Sequence, residues 1–161
     1  MVSTAELAQL PLLHRAVIPP DYLDAMEHMN VRWYMALFDE GAWRFFASFG
    51  MDAEYYRARQ AGGFALKHFI QYFAEVRVGE TVAIRGRVLG RTAKRVHFML
   101  FMVNETTDKL AATLEALGSH ADMRIRRTAP YPDNLAARLD ALIAEQSVLT
   151  WDAPVCGIIA P

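Results

Sequence analysis

A chain of 161 residues, 53% hydrophobic and 22% charged, lies within the size of one domain and carries enough apolar side chains for a core. With 17 Lys and Arg against 18 Asp and Glu the formal net charge is -1, so no general pull toward nucleic acid or a membrane surface is expected. The single cysteine, Cys156, excludes an internal disulfide framework and fits a reducing compartment, which makes the cytoplasm the expected location.

Ser3 to Glu6 reads as a capping box opening a short helix, and no basic segment followed by an apolar run marks a targeting peptide. His14 to Ile18 suits a strand that ends at Pro19-Pro20, because neither proline can donate to a ladder. A loop then leads through Asp24-Ala25-Met26-Glu27-His28-Met29-Asn30. Asn30 is an N-cap, and Met29 and Tyr34 hold the two positions of a hydrophobic staple, so a helix is predicted to start at Val31 and to stop at Gly50. Its side chains are apolar almost all round, and something is expected to wrap it. Arg32, Asp39, Glu40 and Arg44 make a membrane span improbable.

The period changes to two from Phe64 to Val78, where Phe64, Leu66, His68, Ile70, Tyr72, Val76 and Val78 share one face. Further strands are predicted at Thr81 to Leu89, Val96 to Val103 and Leu110 to Ile125, joined by turns at Gly79-Glu80 and Asn104 to Asp108. Gly118 would mark a bulge that brings Glu115 and His120 toward a common side. A short helix follows Pro132-Asp133, and the apolar tail from Ser147 to Pro161 is expected to dock rather than float. The pattern specifies an α+β fold, a single domain over residues 1–161 in which a curved antiparallel sheet wraps a long central helix. The core runs from about residue 14 to 132, followed by the C-terminal helix and tail at 133–161.

A carboxylate (Asp24), an imidazole (His28) and an amide (Asn30) thus converge on one helix entrance. Unpaired N–H groups there can polarise a carbonyl while a carboxylate attacks or directs water, which suits ester or thioester cleavage. Alone, Asp24 reads as a loop residue forming an Asx-turn and His28 as a histidine satisfied by backbone; the combination carries the functional reading. The five histidines have no close ligand spacing and no phosphate-cradling glycine loop occurs, so no metal is expected.

The element order, with the Asp-x-x-Gly-His-x-Asn pattern before the long helix, resembles the hotdog-fold acyl-CoA thioesterases of the 4-hydroxybenzoyl-CoA thioesterase type over roughly residues 14 to 132. His68, the run Ala93-Lys94-Arg95-Val96-His97, and Ala111-Ala112-Thr113 with Glu115, His120, Asp122 and Arg126 to Pro130 look most like the betainyl-CoA thioesterases of carnitine breakdown. The resemblance implies a single hotdog domain and hydrolysis of acyl-CoA to free acid and coenzyme A. Coenzyme A is then part of the substrate, and no other cofactor is implied. Asp24 would be nucleophile or general base, with His28 and Asn30 organising the site. The expected substrate-binding residues are Val31, through its backbone N–H, Tyr34, His68, and Lys94 and Arg95 for the phosphates. Glu115 and His120 either line the site or form a satisfied structural pair.

Trp33, Tyr34, Phe69 and Tyr72 could offer faces to a quaternary ammonium, although such spacings suit a core equally. Glu27 departs from the family's glycine, a position that would let backbone approach substrate closely. A homo-oligomer is implied, a dimer or dimer of dimers, with no nucleic acid or membrane partner. The rival readings are an acyl-CoA binder without turnover and an enoyl-CoA hydratase. The hydratase motif has one more residue between aspartate and histidine and an Asn-Pro step absent here.

Overall fold

A computed structural model of the protein describes residues 2–161. Helices Thr4–Leu7 and Ala53–Arg59 begin where a side chain caps unpaired backbone. Ser3 Oγ accepts the Glu6 N–H while Glu6 Oε2 accepts the Ser3 N–H, and this reciprocal cap opens helix α1, Thr4–Leu7. Strand β1 covers Leu12–Val17, a 3-10 turn Pro20–Tyr22, helix α2 Val31–Ser48 and helix α3 Ala53–Arg59. Strands β2 (Ala61–Tyr72), β3 (Thr81–Arg91), β4 (Arg95–Asn104), β5 (Lys109–Asp122) and β6 (Arg127–Thr128) precede helix α4, Asp133–Gln146. The strands form one sheet in the order β1-β3-β4-β5-β2, with β6 paired to β5. Among the described residues no helix is long and apolar enough to cross a membrane.

The residues gather into two compact units. The first comprises residues 2–44, Ile70–Gly86 and Leu100–Leu114. Here β1 runs antiparallel to β3 with Val17 opposite Thr81 and His14 opposite Ile84. The Arg85 guanidinium donates to the Leu10 carbonyl at 2.6 Å and ties down the segment after α1. Tyr34, Leu37, Phe38 and Gly41 form the buried stripe of this part of α2. At Gly41 the helix comes so close to β3 that a Cβ would lie 2.5 Å from Ile84 Cγ2. Gly41→Ala is therefore expected to lose about 1–3 kcal/mol in urea unfolding, because overpacking outweighs the gain of roughly 1 kcal/mol in helix propensity.

The second unit comprises Phe45–Phe69, Arg87–Met99 and Glu115–Pro161. Phe45 stacks on Phe98 at 4.9 Å and Phe46 meets the same ring edge-on at 5.5 Å. A Cβ at Gly118 would sit 3.4 Å from Phe46 Cζ, so this glycine makes room for a ring. The tail docks as expected. Trp151 and Ile159 are buried, and the Arg87 guanidinium lies 4.5 Å over the Trp151 ring while donating to its carbonyl.

Several expectations need correction. Helix α2 keeps the predicted boundaries but is one-sided: Arg32, Ala36, Asp39, Glu40, Trp43, Arg44 and Ala47 are exposed, Trp43 by 54%. β2 stops at Tyr72 rather than Val78, because the N–H groups of Phe73 and Ala74 both turn to the Ala111 carbonyl and the Val76 carbonyl accepts from Met29. β5 stops at Asp122, whose carboxylate accepts the Arg124 backbone and side-chain donors in a turn that carries Arg126 at φ 52°. Glu115 and His120 do not share a partner. Glu115 bonds His97 and the Cys156 N–H, whereas His120 bonds Tyr55 and the Ala129 carbonyl.

Candidate functional site

The segment before α2 is a tight hairpin. Leu23 and Met29 form an antiparallel bridge, the Asp24 N–H donates to the His28 carbonyl at 3.1 Å, and the Glu27 N–H returns to the Asp24 carbonyl at 3.0 Å. Its base is held twice more: the Asn30 N–H donates to the Tyr22 carbonyl at 2.9 Å and the Met29 N–H to the Val76 carbonyl at 2.7 Å. Met29 and Tyr34 are both buried, as a hydrophobic staple requires. Asn30 Oδ1 accepts the N–H of Arg32, the second residue of the helix, at 3.1 Å, so Asn30 is the cap. Val31 begins α2, and as a first-turn residue its N–H has no acceptor within the helix.

Asp24 Oδ1 accepts the Met26 N–H at 2.8 Å, an Asx-turn that locks the carboxylate. His28 Nδ1 lies 3.9 Å from the same oxygen, too far for a hydrogen bond. The side chains are 20% and 32% exposed, and so accessible to a small substrate without being free in solvent. A carboxylate held by backbone, an imidazole beside it and a helix N-terminus two residues beyond that imidazole can together bind and attack a polarised carbonyl.

Glu27 sits at φ 63°, in the left-handed region that favours glycine. The hairpin's turn is thus one reason for a glycine at this position. Glu27→Gly is expected to relieve about 1–2 kcal/mol of backbone strain and to lose about 0.4–1 kcal/mol to chain entropy, a small net gain readable in urea unfolding.

Asp24, His28, Asn30, Val31 and Tyr34 thus lie together in the first unit, whereas His68, Lys94 and Arg95 lie in the second. Burial pushes the Tyr34 phenol up to about 12, so it stays neutral, and its ring meets Tyr72 edge-on at 5.0 Å. His68 is an exposed residue of β2. Lys94 and Arg95 are exposed where β3 turns into β4. The proposed aromatic face of Trp33 is already occupied: Tyr22 stacks on it at 3.8 Å and 6°, and the Arg32 guanidinium lies 5.0 Å from its centroid.

The second unit holds two polar clusters whose pairings the sequence leaves open. The Ala129 carbonyl can only accept, so His120 donates from Nδ1, and its Nε2 shares a hydrogen bond with the Tyr55 hydroxyl at 2.8 Å. His97 Nε2 donates to Glu115 Oε1 at 2.8 Å, while Glu115 Oε2 accepts the Cys156 N–H at 2.6 Å. Both clusters are satisfied structural pairs. Their partners lie on different elements, so residue spacing along the chain carries no signal for them. Among the described residues no three His, Cys, Asp or Glu side chains gather as a metal would need.

Comparison with known proteins bears on this geometry. A family model described as the Thioesterase-like superfamily matches residues 18–139. The betainyl-CoA thioesterase of Pseudomonas aeruginosa is 24% identical over 136 residues, covering 84% of this chain and 86% of that protein. An L-carnitine dehydrogenase/betainyl-CoA thioesterase of Agrobacterium fabrum is 29% identical over 154 residues, 95% of this chain, and the chain spans only 31% of that longer protein. Among solved structures, a hypothetical protein of Staphylococcus aureus in complex with CoA superposes with a TM-score of 0.83 at 22% identity, covering 94% of this chain and 96% of that one. A 1,4-dihydroxy-2-naphthoyl-CoA thioesterase from Synechocystis gives 0.70 at 12% identity, with 81% and 96% covered. The α+β arrangement of one long helix and an antiparallel sheet is the hotdog fold, and the chain belongs to the Thioesterase-like superfamily.

Proposed function

We propose that this chain is an acyl-CoA thioesterase working in the cytoplasm as a single domain, with Asp24 as the attacking or water-directing carboxylate. The observation that carries the reading is the Asp24 carboxylate, locked by the Met26 N–H and 3.9 Å from His28, at the entrance to α2. Family membership and the betainyl-CoA thioesterases among the relatives support it. The acyl carbonyl oxygen takes the Val31 N–H, where the helix N-terminus favours developing negative charge. His28 is offered as the donor to that oxygen or as the group that orients Asp24.

Two routes use the same groups. In one, an Asp24 oxygen bonds to the acyl carbon, the C–S bond breaks, and the departing thiolate takes a proton; water then cleaves the mixed anhydride. In the other, Asp24 takes a proton from water, the hydroxide adds to the acyl carbon, and the thiolate leaves with that proton. Neither route needs a metal or a cofactor.

Lys94 and Arg95 are offered for the phosphates of coenzyme A, with Tyr34 and His68 as further substrate contacts. The β2 edge, where Leu66, Phe69 and Tyr72 are exposed, is suited to pair with a second copy in a dimer or dimer of dimers. The test is release of free thiol from a panel of acyl-CoAs that includes betainyl-CoA and crotonyl-CoA. Thiol release supports hydrolysis; a 3-hydroxyacyl-CoA product from crotonyl-CoA, or binding without turnover, overturns it.

A further inference from the structure

The Asp24 hairpin is gripped from outside by a contact that takes no part in the chemistry above. Tyr22 precedes the hairpin and Trp33 follows it, and their rings stack face to face with centroids 3.8 Å apart and planes 6° from parallel. Tyr22 is also tied by its carbonyl to the Asn30 N–H, and Trp33 by its own N–H to the Asn30 carbonyl at 2.9 Å. The Arg32 guanidinium lies over the same indole, and the Arg32 N–H bonds the Asn30 side chain. The segment carrying Asp24 and His28 is thereby closed between residues fixed to each other by both ring and backbone.

Two features separate this stack from ordinary core packing. Both rings are only half-buried, whereas Met29, Tyr34 and Leu37, nearby in the chain, are buried. The Trp33 Nε1–H is buried with no protein partner, so the indole contributes its flat face and not its polar group.

We infer that the Tyr22–Trp33 stack is a positioning clamp: it holds Asp24 and His28 in register with the N-terminus of α2, and Trp33 and Tyr22 contribute to turnover without touching the reacting atoms. The inference rests on the thioesterase reading. A displacement of about 1 Å in a catalytic group is enough to cost about 100-fold in rate, which is the scale a loosened hairpin reaches.

The test compares free-thiol release by the full chain carrying Trp33→Ala and Trp33→Phe with the wild type. Trp33→Ala is expected to lower kcat about 10- to 100-fold while KM changes less than about threefold, and Trp33→Phe, which restores a flat face, to stay within about threefold of wild type. A purely structural residue would instead lower the melting temperature and leave kcat per folded molecule unchanged. Should Trp33→Ala fail to fold, Tyr22→Leu against Tyr22→Phe removes and restores the opposite face with Trp33 intact, and the same split is expected. A wild type that releases no thiol sinks the hydrolase reading and the clamp with it. Release that Trp33→Ala or Tyr22→Leu leaves within twofold of wild type, or that Trp33→Phe loses as fully as Trp33→Ala, sinks the clamp alone.

Discussion

Replacing His97 with alanine is expected to destabilise the protein by about 1–3 kcal/mol, the cost of leaving a buried acceptor without its donor. Glu115 is 0% exposed, and its carboxylate has two donors, the His97 Nε2–H and the Cys156 N–H. His97 is itself only 7% exposed, so water cannot replace the lost imidazole without a cavity opening. Urea unfolding of His97→Ala measures the loss, and limited proteolysis reads its location, because the surviving donor belongs to the docked tail. The double variant His97→Ala, Glu115→Leu should recover much of the stability, since removing both members leaves neither side chain without its partner. A loss under about 1 kcal/mol for His97→Ala would show that the carboxylate is better solvated than this network allows.

Asp24→Asn is expected to reduce kcat for thioester hydrolysis by about 10²- to 10⁴-fold while leaving the fold in place. The amide keeps an oxygen that can accept the Met26 N–H, so the hairpin is preserved and the change is confined to charge and nucleophilicity. Both chemical routes need the carboxylate, and neither can run on a carboxamide. Circular dichroism and the urea midpoint, unchanged from wild type, would show that the lost rate is not lost protein.

The fold was readable wherever local chemistry dominates. Asn30 and Gly50 mark the limits of α2, and the structure adopts them, with Gly50 at φ 106°. Period-two alternation located β3, and an apolar run followed by turn residues located β4 and β5, each within a few residues. The alternation overran at β2, because it continues through Val76 and Val78 after the chain has left the ladder for the Ala111 carbonyl. Helix α3 was not foreseen, although Asp52 caps it by accepting the Tyr55 N–H; a seven-residue helix gives too few turns for a periodic signal.

At the candidate site the adjacency of Asp24, His28 and Asn30 made the local group legible. The Tyr22–Trp33 stack and the His97–Glu115 bond were not, because each joins residues whose meeting depends on loop course or strand register. Glu27 shows the same division: its departure from the family's pattern is visible in the sequence, but the positive φ that favours glycine there is visible only in the structure.

The most direct test of the central claim is the stoichiometry of thiol release by wild-type protein, measured beside folded Asp24→Asn. The account predicts one free thiol and one free acid for each acyl-CoA consumed by the wild type, and near-background release by the variant. Undiminished thiol release by Asp24→Asn, or acyl-CoA bound by the wild type and recovered intact, would contradict it.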